Sequence, residues 1–392
     1  MAHRASTLAT GAAYGAFGLL YGVWAVLLTD LAIDLDLSEG PLGVALTAAF
    51  VGSLPVMLAC GHLADRFGSR SLAVVSGALL AAAFAAVATS ASFVGLIGVL
   101  LVFFAASGAY DVGLNAAAME LERASGRRLM AAFHAAFSGG GMLGAIAAGL
   151  LLASGAMPFR AAYVGVGMVL LVVVLAWSRV AAPRGVPAAP AKAAGGASPY
   201  RDRLLLLLAA ITALGFLAEG AMETWSGIYL RSSLALPPLT GALGVAVFHA
   251  AMLVGRSLMA IFGGRVGSAV ALRSAGLLSA AAMAVALATD IPALVIAGFL
   301  VVGLGLAVVA PLTFSLAGRA RPDRAGRASS VVTTIGYAGF LFGPGIIGTV
   351  AELTTLRIGL VVVAAAGLLV ALLAGRVPGA VSGRPRTQPP AG

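Results

Sequence analysis

Charge is the scarcest thing in this chain. Only 10% of its 392 residues are Asp, Glu, Lys or Arg, against 61% hydrophobic, and mean hydropathy is +1.05. A water-facing shell needs about a quarter charged residues, so a soluble globular domain is excluded and bilayer is the natural solvent. Cysteine is nearly absent. Cys60 stands alone, which excludes an internal disulfide and any cysteine-based metal cluster. Lysine is also single. Lys192 precedes Ala193, whereas a phosphate-binding P-loop needs Gly-Lys-Ser/Thr, so ATP-driven work within this chain is excluded. The residues offer no metal cluster, nucleophile–base pair or cofactor loop. The expectation is a protein that is not an enzyme and holds no cofactor or metal.

What the chain has is apolar length. A spanning helix needs roughly 20 apolar residues. Such runs recur at about 8–30, 42–60, 72–90, 93–118, 130–153, 159–177, 204–230, 240–262, 271–289, 292–317, 328–351 and 354–374. The first is too long, and too rich in Tyr14, Tyr21 and Trp24, for a cleaved signal peptide. The spacing predicts about twelve transmembrane helices. With the N-terminus in the cytoplasm and sides alternating, the inner loops and ends take 21 of the 24 basic residues, and only Arg160, Arg231 and Arg357 fall outside. The positive-inside rule then sets the orientation, with both termini cytoplasmic. The net charge of +10 therefore belongs to the inner loops, not to a nucleic-acid surface.

The inner connector 181–203 carries Pro183, Pro187, Pro190, Gly195, Gly196 and Pro199 and reads as a flexible linker. It separates a six-helix bundle over 1–180 from a second over 204–375. A cytoplasmic tail, 376–392, is expected to be disordered. The halves echo each other at an offset near 200: Gly126-Arg127 with Gly326-Arg327, Gly139 with Gly339, Arg66-Phe67-Gly68-Ser69 with Arg265-Val266-Gly267-Ser268. Paired six-span halves around a central pathway are a transporter design.

Three carboxylates interrupt the apolar runs. Asp111 lies in the fourth span, Glu219 and Glu223 in the seventh. A charge at membrane depth costs several kcal/mol unless paired, protonated or hydrated, so such residues mark substrate or ion paths. Asp111 and Asn115 are i and i+4, as are Glu219 and Glu223, so each pair shares a helix face. A carboxylate here could instead cap a broken helix or pair with Arg256. No arginine lies deep in the same runs, so protonation or water is expected to meet their cost. Glu120 and Glu122, beside Arg123, are expected at the interface, as is His134. Tyr14, Tyr21, Trp24 and Trp225 are candidate cavity aromatics, although tryptophan also belts membrane interfaces. The glycine-rich stretches 129–145 and 336–348 suit close, sliding helix contacts.

The loop after the second span reads Gly61-His62-Leu63-Ala64-Asp65-Arg66-Phe67-Gly68-Ser69-Arg70. It resembles the inner-loop signature of the major facilitator superfamily, Gly-x-Leu-Ala-Asp-Arg-x-Gly-x-Arg. Glycines allow a sharp turn and close approach, and Asp65 offers a charge-assisted partner to arginines or helix N-termini. The resemblance implies a latch at the cytoplasmic ends, made by Gly61, Asp65, Arg66, Gly68 and Arg70. The second-half copy has Gly264 where Asp is expected. The resemblance further implies that spans one, four, seven and ten line a central cavity, which puts Asp111, Asn115, Glu219 and Glu223 on cavity helices. A narrower likeness joins Glu219-Gly220-Ala221-Met222-Glu223-Thr224-Trp225 to the fucose-permease-like branch, which often has Glu-Gly-Ala-x-x-Asp-Trp there; here Thr224 takes the Asp position.

The reading is an all-α membrane protein working as a secondary transporter by alternating access. Its partners are a small polar or sugar-like solute, protons as coupling ion and the lipid bilayer, with uptake the leading direction and a monomer expected. At least one of Asp111, Glu219 and Glu223 is expected to carry the proton, and Asn115 with its neighbours the solute. Proton-coupled efflux of drugs or metabolites is the alternative within transport. A non-transporting receptor or scaffold is the alternative outside it, though it would not need the latch. Arginine-rich, alanine-rich composition points to a GC-rich bacterial genome and hence the cytoplasmic membrane.

Overall fold

The computed structural model describes residues 2–127, 129–180, 201–262, 266–321 and 325–378. Among these the structure is helical throughout and contains no strand. The first six helices are α1 (Ala2–Asp34), α2 (Glu39–Phe67), α3 (Ser69–Val87), α4 (Phe93–Ser125), α5 (Met130–Ser154) and α6 (Phe159–Arg179). There follow α7 (Arg203–Ile228), which ends in a π-helical turn Tyr229–Ser233, then α8 (Pro238–Phe262) and α9 (Ser268–Leu287). Next come α10 (Pro292–Leu306), α11 (Val309–Ala320), α12 (Ala325–Leu353), α13 (Leu356–Gly359) and α14 (Val361–Ala374). Among the described residues, twelve segments are long and apolar enough to cross a membrane, matching the twelve expected runs.

Two of the twelve are each built from two helical pieces. The tenth span is α10 plus α11, and the twelfth is α13 plus α14. Pro311 explains the first break, because it has no N–H to donate to Ala307 one turn back. Thr313, two residues on, donates its hydroxyl to Val309 O at 3.0 Å and to Ala310 O at 3.0 Å. Pro55 and Pro344 lie inside α2 and α12, and both helices continue past them.

The described chain divides into two compact units. One takes residues 2–180, 222–253 and 344–359, the other 201–221, 254–343 and 360–378. In the first unit, α1 and α5 pack backbone on backbone. A Cβ on Gly18 would lie 1.9 Å from Phe137 O, and one on Gly140 would lie 2.0 Å from Gly15 O. Only glycine permits that approach. The second unit repeats the device. A Cβ on Gly339 of α12 would lie 1.9 Å from Ala213 O of α7. The first unit also carries an ion pair between Arg231, in the π-helical turn, and Asp30, near the end of α1. Its second nitrogen–oxygen contact is 3.1 Å. Gly40 N–H donates to Glu352 Oε2 at 2.9 Å in the same unit.

The expected linker falls mostly outside the described residues, as do the tail beyond 378 and the second latch copy at Gly264 and Arg265. Where description resumes, Asp202 accepts the N–H of Leu204 at 3.0 Å and pairs with Arg321 at 2.6 Å. Those contacts seat the start of α7.

Candidate functional site

The polar face of α4 is a ladder. Ser107, Asp111 and Asn115 recur every four residues and so lie on one side of the helix. Their partners come from α1. The Tyr14 hydroxyl donates to Asn115 Oδ1 at 2.7 Å. The Asn115 amide donates in turn to Asp111 Oδ1 at 2.8 Å and to the Asp111 carbonyl at 2.9 Å. One turn or so along, Tyr21 and Ser107 share a hydrogen bond of 2.7 Å. Tyr14 and Tyr21 are seven residues apart, two turns of α1, which matches the rise of the ladder. Asp111 and Asn115 are half-buried.

Rings from α1 and α5 surround this ladder. Tyr14 stacks on Phe133 at 5.4 Å and meets His134 edge-on at 5.6 Å. Phe17 meets Tyr21 at 5.3 Å, Tyr110 at 5.0 Å and Phe137 at 5.4 Å. Aromatic pairs at these separations add stability beyond their buried area. Asp111, Asn115, Ser107, Tyr14 and Tyr21 thus belong to one hydrogen-bonded neighbourhood in the first unit.

Glu219 meets its cost differently. It is 12% exposed and forms an ion pair of 2.9 Å with Arg256, which is 18% exposed. The expectation of protonation or water is corrected here, because α8 brings an arginine to it from 37 residues away. Nothing in the i, i+4 pattern of α7 announces a partner on the next helix.

Trp24 and Trp225 do not join the ladder. Trp24 is 5% exposed and packs on Phe103 at 5.3 Å, while Trp225 is fully buried with a ring carbon 3.2 Å from where a Cβ on Gly348 would sit. Both are buried in the first unit. His134 sits against Tyr14. Glu120 accepts from the Ser69 hydroxyl at 2.8 Å, and Glu122 caps α5 by accepting from Met130 N at 2.9 Å. Ser107 and Tyr110 were missed by sequence reasoning. Ser107 could have been found, because it extends the Asp111–Asn115 face by one turn.

In the latch loop, Gly68 turns the chain between α2 and α3 at φ 86°, a conformation glycine adopts at no steric cost. Arg66 is exposed and lies over Phe67 at 5.2 Å. Arg70 lies over the Trp177 ring at 4.9 Å and donates to the carbonyls of Trp177 and Val180, capping the end of α6. The side chains at Gly61 and Asp65 lie outside the described residues. Among the described residues no group of three His, Cys, Asp or Glu could hold a metal ion.

The family model described as Major Facilitator Superfamily matches residues 7–344. An uncharacterised MFS-type transporter of Yersinia pestis is 31% identical over 355 residues, covering 90% of each chain. Membrane protein MosC of Rhizobium meliloti is 30% identical over 361 residues, 90% of this chain and 86% of its own. Among solved structures, the nucleoside transporter NupG superposes with a TM-score of 0.75 at 13% identity, over 95% of this chain and 99% of that one. A bacterial homologue of the human lysosomal transporter Spinster, inward-facing and unoccupied, gives 0.76 at 16% identity over 99% of both. At those identities the structures speak for the fold.

Proposed function

The chain belongs to the major facilitator superfamily, and from that premise we propose proton-coupled uptake of a small polar or sugar-like solute by alternating access. Membership makes it a multi-pass membrane transporter and not an enzyme. Solute, coupling ion and direction are the proposal. The observation that carries it is the Tyr14–Asn115–Asp111 chain, with Tyr21–Ser107 beside it, in the middle of membrane-spanning helices. A lipid-facing or purely structural helix has no use for a ladder of donors and acceptors there, since each polar group is costly unless satisfied. A solute rich in hydroxyls can exchange with those bonds one for one. Rings beside the ladder favour the flat apolar faces of a sugar-like body.

Coupling needs a carboxyl that loads and releases a proton. Glu223 suits this, lying one turn from Glu219 within the membrane-spanning part of α7. In the bacterial cytoplasmic membrane the inward proton gradient would then drive uptake. The twin glycine contacts of α1 with α5 and of α7 with α12 support movement of packed helices without side-chain obstruction.

The test is flux in reconstituted vesicles with an imposed pH gradient, for the unchanged protein and for Asp111→Asn, Glu219→Gln and Glu223→Gln. Gradient-driven uptake should fall in at least one of the three and lose its pH dependence there. If both survive all three substitutions, the proposal is wrong. Movement only against the reverse gradient would identify efflux, and no flux in either direction would leave a receptor or scaffold.

A further inference from the structure

We infer that the Asp30–Arg231 ion pair and the Gly40–Glu352 hydrogen bond together lock one end of the transporter, the end that the charge distribution puts outside, and that the π-helical turn after α7 is built to hold the lock. This rests on the transport reading above and names the residues that gate it. Closure at this end is seen in the first unit, where residues 222–253 and 344–359 pack with 2–180. Those segments are the last part of α7, the first part of α8 and the last part of α12, the ends of their spans that lie with Asp30 and Glu39. α2 and α12 touch there along glycine: a Cβ on Gly43 would lie 3.1 Å from Gly348 Cα and 3.4 Å from Gly345 Cα. α7 runs beside α1, where a Cβ on Gly227 would lie 3.8 Å from Ala25 O.

Arg231 is placed with care. In the turn Tyr229–Ser233 the Leu234 N–H reaches back five residues, to Tyr229 O at 3.2 Å, a widened turn of the kind found at functional sites. The arginine stem then crosses the first turn of α8, where a Cβ on Gly241 would lie 2.9 Å from Arg231 Cδ. Its fork meets both carboxylate oxygens of Asp30, and the two side chains are only 13% and 17% exposed. A bidentate pair of this kind fixes orientation as well as adding attraction.

Behind the lock the seam is polar and unsatisfied. Thr29 Oγ1, Thr47 Oγ1, Trp225 Nε1 and Ser226 Oγ are all buried and make no hydrogen bond among the described residues. Thr47 lies in the glycine seam itself, its Cβ 3.1 Å from where a Cβ on Gly345 would stand. A seam that never opened would carry apolar groups here, because a buried polar group without a partner is costly. Opening gives these four groups water or solute as partners. The closed end is therefore poised: burial of the four opposes closure, and the two charged contacts offset it.

The experiment reads opening, not flux. Ser226→Cys in a Cys60→Ala background carries a single thiol, buried at the seam, and cells expressing it are treated from outside with a membrane-impermeant maleimide. Labelling should be slow with the lock intact. Asp30→Asn or Arg231→Gln should speed it about tenfold, which corresponds to a loss of ~1.4 kcal/mol of closing free energy. Arg231→Lys, which keeps the charge and loses the fork, should fall between. Glu352→Ala, at an exposed side chain, should speed it severalfold, and this variant decides alone if the other two do not fold. Asp34→Asn breaks the pair with Arg160 within the first six helices and should leave labelling slow. Fast labelling with the lock intact, unchanged labelling in the lock variants, or an equal rise in Asp34→Asn overturns the proposal. A transporter that exports, or that uses another ion, fails the vesicle test and passes this one. A proton-coupled importer that closes elsewhere does the reverse.

Discussion

The Glu219–Arg256 pair offers a quantitative prediction. The nitrogen and oxygen are 2.9 Å apart, and the side chains are 12% and 18% exposed. Unit charges about 4 Å apart at an effective dielectric of about 20 attract by about 4 kcal/mol. Partial exposure and the cost of desolvating both ions remove roughly half of that, leaving a coupling of about 2 kcal/mol. Removing one partner does more damage than the coupling alone, because the other ion keeps its desolvation cost without this contact. Arg256→Gln should therefore cost about 2–3 kcal/mol of unfolding free energy, and Glu219→Gln somewhat less, since the guanidinium reaches toward water more easily.

The double variant Glu219→Gln/Arg256→Gln should recover most of the loss and lie within about 1 kcal/mol of the parent. Denaturation of purified protein followed by tryptophan fluorescence measures all four corners of the cycle. A further signature separates charge from shape. Acidic pH should relieve Arg256→Gln, because a protonated carboxyl carries no charge to bury, and should leave the double variant unchanged. If the two single deficits are small and simply add, or if acid does not rescue Arg256→Gln, the ion pair is not what holds Glu219, and the reasoning is refuted.

Other perturbations have equally definite outcomes. Tyr14→Phe removes the donor to Asn115 while keeping the ring on Phe133; it should cost about 1 kcal/mol of unfolding free energy, read by denaturation of purified protein, and an unchanged stability would refute the bond. Gly339→Ala would place a Cβ 1.9 Å from Ala213 O; separating α7 from α12 should cost about 1–3 kcal/mol, seen as a lower Tm in detergent, and an unchanged Tm would refute the backbone contact. Arg70→Lys keeps the charge but loses the planar fork that stacks on Trp177 and caps α6; hydrogen exchange at 177–180 should rise, since lysine is not a substitute at a stacked site.

Span number was legible because it depends on one-dimensional quantities. A run of some 20 apolar residues has little choice in a bilayer, and all twelve segments appear where hydropathy puts them. The Asp111–Asn115 contact was legible for a similar reason, since four residues is one helical turn. What escaped was most of what tertiary packing chooses. Tyr14 reaches Asn115 across 101 residues, and Ser107 enters through Tyr21 on another helix; Arg256 was named as an alternative partner, but only the packing of α8 on α7 selects it for Glu219. Tryptophans 24 and 225 are buried, a placement that composition alone does not distinguish from an interfacial one. The breaks at 307–308 and 360 had a local sign in Pro311 alone.

The two ways of housing an acid also argue for different duties. An ion pair such as Glu219–Arg256 is locked from both sides, and any event that separates it must replace a charge with a charge. Asp111 accepts from the amide of Asn115, whose own oxygen takes the Tyr14 hydroxyl proton, so this link is made of hydrogen bonds to neutral groups that a polar solute can replace in kind. The first arrangement resists change until another ion arrives. The second is open to exchange with each solute that enters, which is what a site that must release its cargo requires. Replacing Asn115 by Asp should convert the second into a like-charge pair at i, i+4. It removes the amide that donates to Asp111 and should weaken solute binding and slow exchange in vesicles loaded with solute on both sides; an unchanged exchange rate would refute a role for this pair.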